Sequence, residues 1–299
     1  MRLDLLLIGK HPELSRRKAR AVIEKGQLCV DGERVREPGR DVPETATLSL
    51  DRNRPALPRV RCSLGVLYQD EHVIIVDKPA GLLTVPSGPG ARDEDTALAR
   101  VLEYARRLDP RRGWAERVHR LDRDTSGAIA FALTREARAG LIETFRTHRI
   151  ERTYLALVSG VPRTDGGSVD APLREAWTSG RKAVARPGEA AEPALTRWRV
   201  RERFSGTTLL EVQLETGRQH QIRVHLAHIG LPIVGDPVYG REPTHPGEAR
   251  ARRPMLHAFR LGFGHPVTGE RVAAESPIPE DMKSLLAALR GSGRAAQRR

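Results

Sequence analysis

One aspartate sits among arginines in the stretch His119-Arg120-Leu121-Asp122-Arg123-Asp124-Thr125-Ser126-Gly127. Nearby guanidinium groups favour the ionised carboxylate, so Asp122 is expected to act as a nucleophile or base rather than as an acid. The same pattern also fits a buried ion pair that merely fixes a loop. Asp124, Thr125 and Ser126 suit turn and capping roles, since their short side chains bond nearby amides. Two further segments carry useful residue types. Glu151-Arg152-Thr153-Tyr154 opens an apolar run, which puts Tyr154 at a strand start, either as a half-buried core residue or as a surface for stacking a nucleobase. In Leu214-Glu215-Thr216-Gly217-Arg218-Gln219-His220-Gln221-Ile222-Arg223 a strand passes through Thr-Gly into a polar helix start. Arg218 there can pair with Asp122 or contact a phosphate, and Gly217 lets the backbone approach a ligand closely. His220, His225 and His228 invite a metal reading. However, helical positions five apart do not share a face, and no cysteine lies near them, so no metal is expected. Neither a Walker A sequence nor a GxGxxG after a strand occurs, so no nucleotide or dinucleotide cofactor is expected.

These segments need a scaffold, and 299 residues suffice for one large domain and one small one. The net charge of +13 points to a polyanion as partner. Six of the 51 basic residues are lysine, so coding bias is a second source of the arginine excess. The two cysteines, Cys29 and Cys62, lie far apart and imply a reducing compartment. The amino-terminal run is not a signal peptide, and no apolar stretch is long enough to span a bilayer. A cytoplasmic protein with no membrane association, acting as a monomer, is expected.

Residues 1–52 form the small unit. A short helix holds Leu5 to Ile8, and Ser15 caps a second helix, Arg16 to Lys25, which Gly26 closes. Ala19, Val22 and Ile23 give this helix an apolar stripe, while Arg16, Arg17, Lys18, Arg20 and Lys25 cover the rest. Asp31-Gly32 between Leu28-Cys29-Val30 and Glu33-Arg34-Val35 predicts a tight hairpin. Residues 53–63 read as a linker rich in proline and arginine. A large domain follows over 64–288, with strands at Val66–Tyr68, His72–Asp77, Ala128–Leu133, Tyr154–Val158, Ala194–Val200 and Thr207–Leu214. Helices are expected over 93–107, 136–147 and 219–229. Irregularly alternating strands and helices argue α+β, with a mixed, mainly antiparallel sheet and flanking helices. Residues 289–299 read as a disordered basic tail.

Taken together, the chain resembles RluA-type pseudouridine synthases over nearly its whole length. His119 to Gly127, Arg152-Thr153-Tyr154 and Leu214 with Thr216 to Arg223 are similar to the family's three motifs in order. Asp77-Lys78-Pro79-Ala80-Gly81, Gly235-Asp236-Pro237-Val238-Tyr239-Gly240 and Leu256-His257-Ala258 look like the family as well. Residues 1–52 resemble the αL RNA-binding module first described in a small-subunit ribosomal protein. The resemblance implies the pseudouridine synthase fold and isomerisation of uridine to pseudouridine in structured RNA, without cofactor or metal. It implies that Asp122 is essential for catalysis, that Tyr154 stacks on the target base, and that Arg218 pairs with Asp122. Leu214 would pack at the site, and His220, Gln221 and Arg223 would contact substrate. Arg152 stands where the family often has lysine. Arg120, beside Asp122, is a candidate to fill the space left by the flipped base or to hold phosphate. Large-subunit ribosomal RNA is the favoured substrate, with transfer RNA as the alternative. Two rival readings remain: a non-catalytic RNA-binding assembly factor, and a glycosidic hydrolase, which would usually need a second, protonated carboxyl group.

Overall fold

The computed structural model describes residues 1–35, 38–53, 62–88, 94–110, 113–176, 181–243 and 248–296. The chain divides into two compact units, Met1–Arg61 and Cys62–Arg299. Most of the expected linker, residues 54–61, lies outside the described residues.

The first unit holds α1 (Leu3–Lys10), α2 (Arg16–Glu24), β1 (Leu28–Val30), β2 (Glu33–Val35) and β3 (Leu48–Leu50). The Ser15 hydroxyl accepts from the Lys18 amide at 3.4 Å, and Gly26 takes φ +66° at the other end of α2. Ala19 and Ile23 are buried against Leu3, Leu7 and Leu28, while Val22 is half-buried. Asp31 and Gly32 both have positive φ, the geometry of a primed hairpin turn. The hairpin has a third strand that the sequence pattern does not announce: β3 pairs with β1, Cys29 opposite Ser49.

The second unit contains β4 (Gly65–Gln69), β5 (Val73–Lys78), α3 (Ala97–Leu108), β6 (Glu116–Arg117), β7 (Ser126–Ala132), α4 (Arg135–Arg146) and β8 (Ile150–Ser159). Then come β9 (Gly166–Asp170), β10 (Leu173–Glu175), β11 (Lys182–Val184), β12 (Leu195–Arg203), β13 (Thr207–Leu214) and α5 (Gln221–His228). Finally come β14 (Leu256–Gly264), β15 (Arg271–Glu275) and α6 (Glu280–Ala296). Among the described residues one large sheet runs β4-β5-β7-β14-β8-β13-β12-β9, with β6 on β7 and β15 on β14. Every pairing in it is antiparallel except β7 with β14. This is the expected mixed, mainly antiparallel α+β architecture.

Both faces of the central strands are covered. Ile74, Val76, Ile129 and Phe131 face one core, and Val73, Ile75, Ala128, Ala130 and Ala132 face the other. Successive side chains of a strand point to opposite faces, so a sheet covered on both sides needs unbroken apolar runs. That is the pattern of Val73–Val76 and Ala128–Ala132. Alanines line the second face of β7 because α4 packs close there, through Ala137 and Leu141.

Three expectations shift. Tyr154 lies in the middle of β8, because the strand already begins at Ile150. The helix of the third motif starts at Gln221 rather than at 219, after a left-handed His220. The expected disordered tail is helical through Ala296: α6 buries Met282, Leu285, Leu286 and Leu289 against the first core, and the helix continues past that anchor. Residues 297–299 lie outside the described residues.

Candidate active site

Topology brings the three motifs together. Ala258 of β14 is paired with Gly127 of β7 on one side and with Tyr154 of β8 on the other. Val212 of β13 lies opposite Tyr154 on the far side of β8. Gly127 has φ +119°, and a Cβ there would collide with the Ala258 carbonyl, so only glycine permits this parallel pairing.

Asp122 lies within the loop that feeds β7, and hydrogen bonds to backbone carbonyls anchor that loop from below. The fully buried Lys78 donates Nζ to the carbonyls of Pro79, Leu82 and Arg123. Burial pushes its pKa down to about 8, against the pull of Asp124 and Asp122. Thr84 exchanges hydrogen bonds with both backbone groups of Leu121. Arg253 donates to the Asp124 carbonyl and is held by Asp281. Ser126, expected as a turn residue, is instead the first residue of β7, and its hydroxyl meets His257 Nδ1 at 3.0 Å. His119 accepts the Ala130 amide on Nε2 and stacks on Phe145.

Above this loop is a cavity of about 620 Å³ that reaches Asp122, Tyr154, Leu214 and Leu256. Seven arginines line it (117, 120, 138, 146, 152, 218 and 223) against two carboxylates, Glu116 and Asp122. Tyr154 is 8% exposed, and burial pushes its phenol up, so the hydroxyl keeps its proton. Arg152, two residues earlier on the same face of β8, is also buried and donates Nη2 to the carbonyls of Leu214 and Glu215, each at 3.2 Å. Its Nε–H is buried without a partner among the described residues. Arg120 is exposed at the cavity.

The arginine that meets Asp122 is Arg223, with Nη1 3.4 Å from Oδ2. Its other nitrogens form a two-pronged pair with Asp236, Nε to Oδ2 at 2.7 Å and Nη2 to Oδ1 at 2.8 Å. Burial would raise the Asp236 carboxyl, but Arg223 and the amides of Val238 and Tyr239 outweigh it and hold its pKa low. Arg218, expected at Asp122, turns away: it donates Nη1 to Glu192 at 2.7 Å and Nε to the Pro193 carbonyl. The Thr-Gly turn and the left-handed His220 place position 223, not 218, over the aspartate. Gln221, expected as a substrate contact, directs its amide inward. It accepts from Arg218 N–H and Thr216 Oγ, and donates to Leu195 O and Thr196 Oγ. All four of its hydrogen-bonding positions are therefore used. His220 does face the site, Nε2 lying 4.0 Å from Asp122 Oδ2. Burial, against the pull of Asp122, holds its pKa below the ordinary value. His225 is a core residue, bonded to Thr196 and the Ala171 carbonyl.

Residues 72–228 match the family described as RNA pseudouridylate synthase, and residues 1–48 match the S4 domain. The chain belongs to the RNA pseudouridylate synthase family. Members are isomerases that convert uridine to pseudouridine in RNA, so the enzyme class is that of an isomerase. The chain is 40% identical over 314 aligned residues to the "Ribosomal large subunit pseudouridine synthase D" of Xanthomonas campestris pv. campestris, covering 99% of this chain and 91% of that one. The protein of the same name from Pseudomonas aeruginosa is 39% identical, with 97% and 92% covered. Among solved structures it is similar to human RNA pseudouridylate synthase domain containing 4, at 26% identity and TM-score 0.64, covering 76% of this chain and 93% of that chain. Among the described residues no helix is long and apolar enough to cross a membrane.

For a pseudouridylate synthase the unforeseen residues are Lys78, Asp236 and Tyr239. Each lies in a segment that resembles the family, but residue type alone assigns it no partner. A lone Asp between Gly and Pro reads as a turn, and only the fold puts it under Arg223.

Proposed function

We propose that this enzyme isomerises uridine in large-subunit ribosomal RNA, with Asp122 as the reacting carboxylate. The observation that carries the reading is the position of Asp122, at an arginine-lined cavity beside the buried ring of Tyr154 and against Arg223. The full-length similarity to large-subunit synthases supports the choice of RNA.

The target nucleotide must leave its stack to reach Asp122, at a cost of a few kcal/mol. Stacking on Tyr154 returns roughly 1–3 kcal/mol of it. Asp122 then attacks the sugar or removes a sugar proton while the bond from C1′ to N1 breaks. The detached uracil turns and C5 joins C1′ as the Asp122–C1′ bond breaks, or as the sugar proton is returned. The C5 hydrogen then leaves as a proton, and N1 takes one up. One C–N bond is exchanged for one C–C bond without net oxidation. Arg223, held by Asp236, fixes the carboxylate. Arg152 lines the cavity and brings its charge to the bound RNA, and Arg120 sits where phosphate or the vacated stack would be. The exposed Arg16, Arg17, Lys18, Arg20 and Lys25 of the S4 domain add salt-dependent phosphate contacts. The enzyme is taken to act as a monomer in the cytoplasm.

The test is Asp122→Asn. The variant is expected to bind large-subunit RNA as the parent does and to form no pseudouridine; product from the variant would remove Asp122 from the chemistry. Mapping pseudouridine in ribosomal and transfer RNA, with and without the gene, tests the substrate. A missing site in transfer RNA alone would overturn the choice of RNA.

A further inference from the structure

The left-handed turn at His220 carries Arg223 over Asp122, and it also aims the His220 imidazole at the same carboxylate. His220 precedes α5 with φ 57° and ψ 13°, a left-handed conformation that is uncommon outside glycine, although histidine adopts it more readily than most side chains, as asparagine and aspartate do. It makes no side-chain cap bond to the helix it precedes. Such strain persists where the surroundings dictate it, and it gathers at functional sites. Here it turns the imidazole back over the Asp122 loop.

The ring is held from behind. Its Nδ1 lies 3.0 Å from the Tyr239 hydroxyl, and that hydroxyl accepts the Lys182 amide at 2.9 Å. Among the described residues the phenolic hydrogen has no acceptor other than Nδ1. Donation from Tyr239 to Nδ1 puts the ring proton on Nε2, the nitrogen that faces Asp122. The opposite tautomer would leave the phenol hydrogen unbonded and set a lone pair against a carboxylate.

Both groups that approach the carboxylate meet the same oxygen. Arg223 Nη1 is 3.4 Å from Oδ2 and His220 Nε2 is 4.0 Å from it. No donor among the described residues reaches Oδ1. The two donors share one support, since Asp236 grips Arg223 and accepts the Tyr239 amide, and the Tyr239 ring lies 5.1 Å from the guanidinium. At 4.0 Å the histidine contact is longer than a hydrogen bond, and such contacts commonly tighten when substrate closes the site.

We propose that His220 is a positioning residue: fixed in one tautomer by Tyr239, it donates Nε2–H to Oδ2 of Asp122 in the RNA complex, so that Oδ1 is the oxygen presented to the ribose. The proposal rests on the functional reading above and deepens it. No bond to carbon passes through the imidazole, and its proton stays on Nε2.

The experiment uses the full-length enzyme and unmodified large-subunit ribosomal RNA transcribed with uridine tritiated at carbon 5. Tritium release reports turnover, and filter retention reports RNA affinity. Release by the unaltered enzyme establishes the functional reading independently; no release would overturn that reading together with this proposal. Tyr239→Phe removes the bond to Nδ1 and the acceptor of the Lys182 amide, and is expected to slow single-turnover release about tenfold with RNA affinity unchanged. His220→Ala is expected to lose more, and His220→Gln, whose amide can place a donor near the Nε2 position, to recover most of that loss. A parental rate in Tyr239→Phe, a matching fall in its RNA affinity, or equal rates for the Gln and Ala variants would overturn the proposal.

Discussion

Gly217 leaves empty the space into which the Arg152 guanidinium fits: a Cβ at position 217 would lie 2.6 Å from Arg152 Nη1. The second and third motifs therefore interlock through an absent side chain. Arg152 closes the lock by donating to the carbonyls of Leu214 and Glu215, at the strand end that leads toward His220.

Gly217→Ala is expected to displace Arg152 and to destabilise the fold by about 1–2 kcal/mol, as moderate overpacking does. Arg152→Ala removes the clash along with the two bonds. If the lock is real, the double variant is more stable than the sum of the single effects predicts, a non-additivity expected for touching residues. Urea unfolding of the four proteins measures it, and strict additivity would rule the lock out.

The arginines of the third motif should part company. Arg223 makes two-pronged contact with Asp236 and reaches Asp122, whereas Arg218 pairs with Glu192 at the surface. Lysine keeps the charge but loses the planar fork. Arg223→Lys is expected to lower the single-turnover rate about a hundredfold, in line with losing a preorganised electrostatic contact. Arg218→Lys should leave the rate within about threefold, since an exposed ion pair contributes under about 1 kcal/mol. Parallel rate measurements decide the matter; the reverse order would restore Arg218 as the partner of Asp122.

The same pair marks what a sequence can and cannot carry. The Ser15 cap, the Gly26 stop, the Asp31-Gly32 turn and the doubly apolar strands are legible because a few adjacent residues determine them. That Asp122 and Tyr154 share one cavity is foreshadowed by motif and residue type. Which arginine reaches Asp122 depends on a left-handed residue at 220 and a turn at 216–217, neither of which residue type announces. Asp236 lies 13 residues from Arg223 and Lys78 lies 45 from Arg123, so tertiary folding alone creates those contacts. The inward Gln221 and the packed part of α6 elude sequence reading for the same reason: each is decided by what packs beside it.

The pH dependence of stability should reveal His119. Burial, reinforced by the guanidinium of Arg152, brings its pKa down to about 3, and Nε2 accepts the Ala130 amide, a bond that protonation would break. In the unfolded chain the ring titrates at its ordinary value near 6.5. Between these values the unfolded state holds a proton that the folded state lacks, so stability falls as pH falls through 6.5 toward 3. The contribution is complete above the unfolded value, and its loss amounts to about 1 kcal/mol per pH unit within the window. His119→Gln keeps an acceptor for the Ala130 amide and removes the titration. Urea unfolding of parent and variant at pH 7.5 and 5.0 isolates the group, since the buried His225 and His257 titrate alike in both proteins. The parent is expected to lose more stability than the variant on going to pH 5.0. Equal losses would mean that the imidazole takes up its proton without leaving the Phe145 stack, and that the Ala130 amide finds another acceptor.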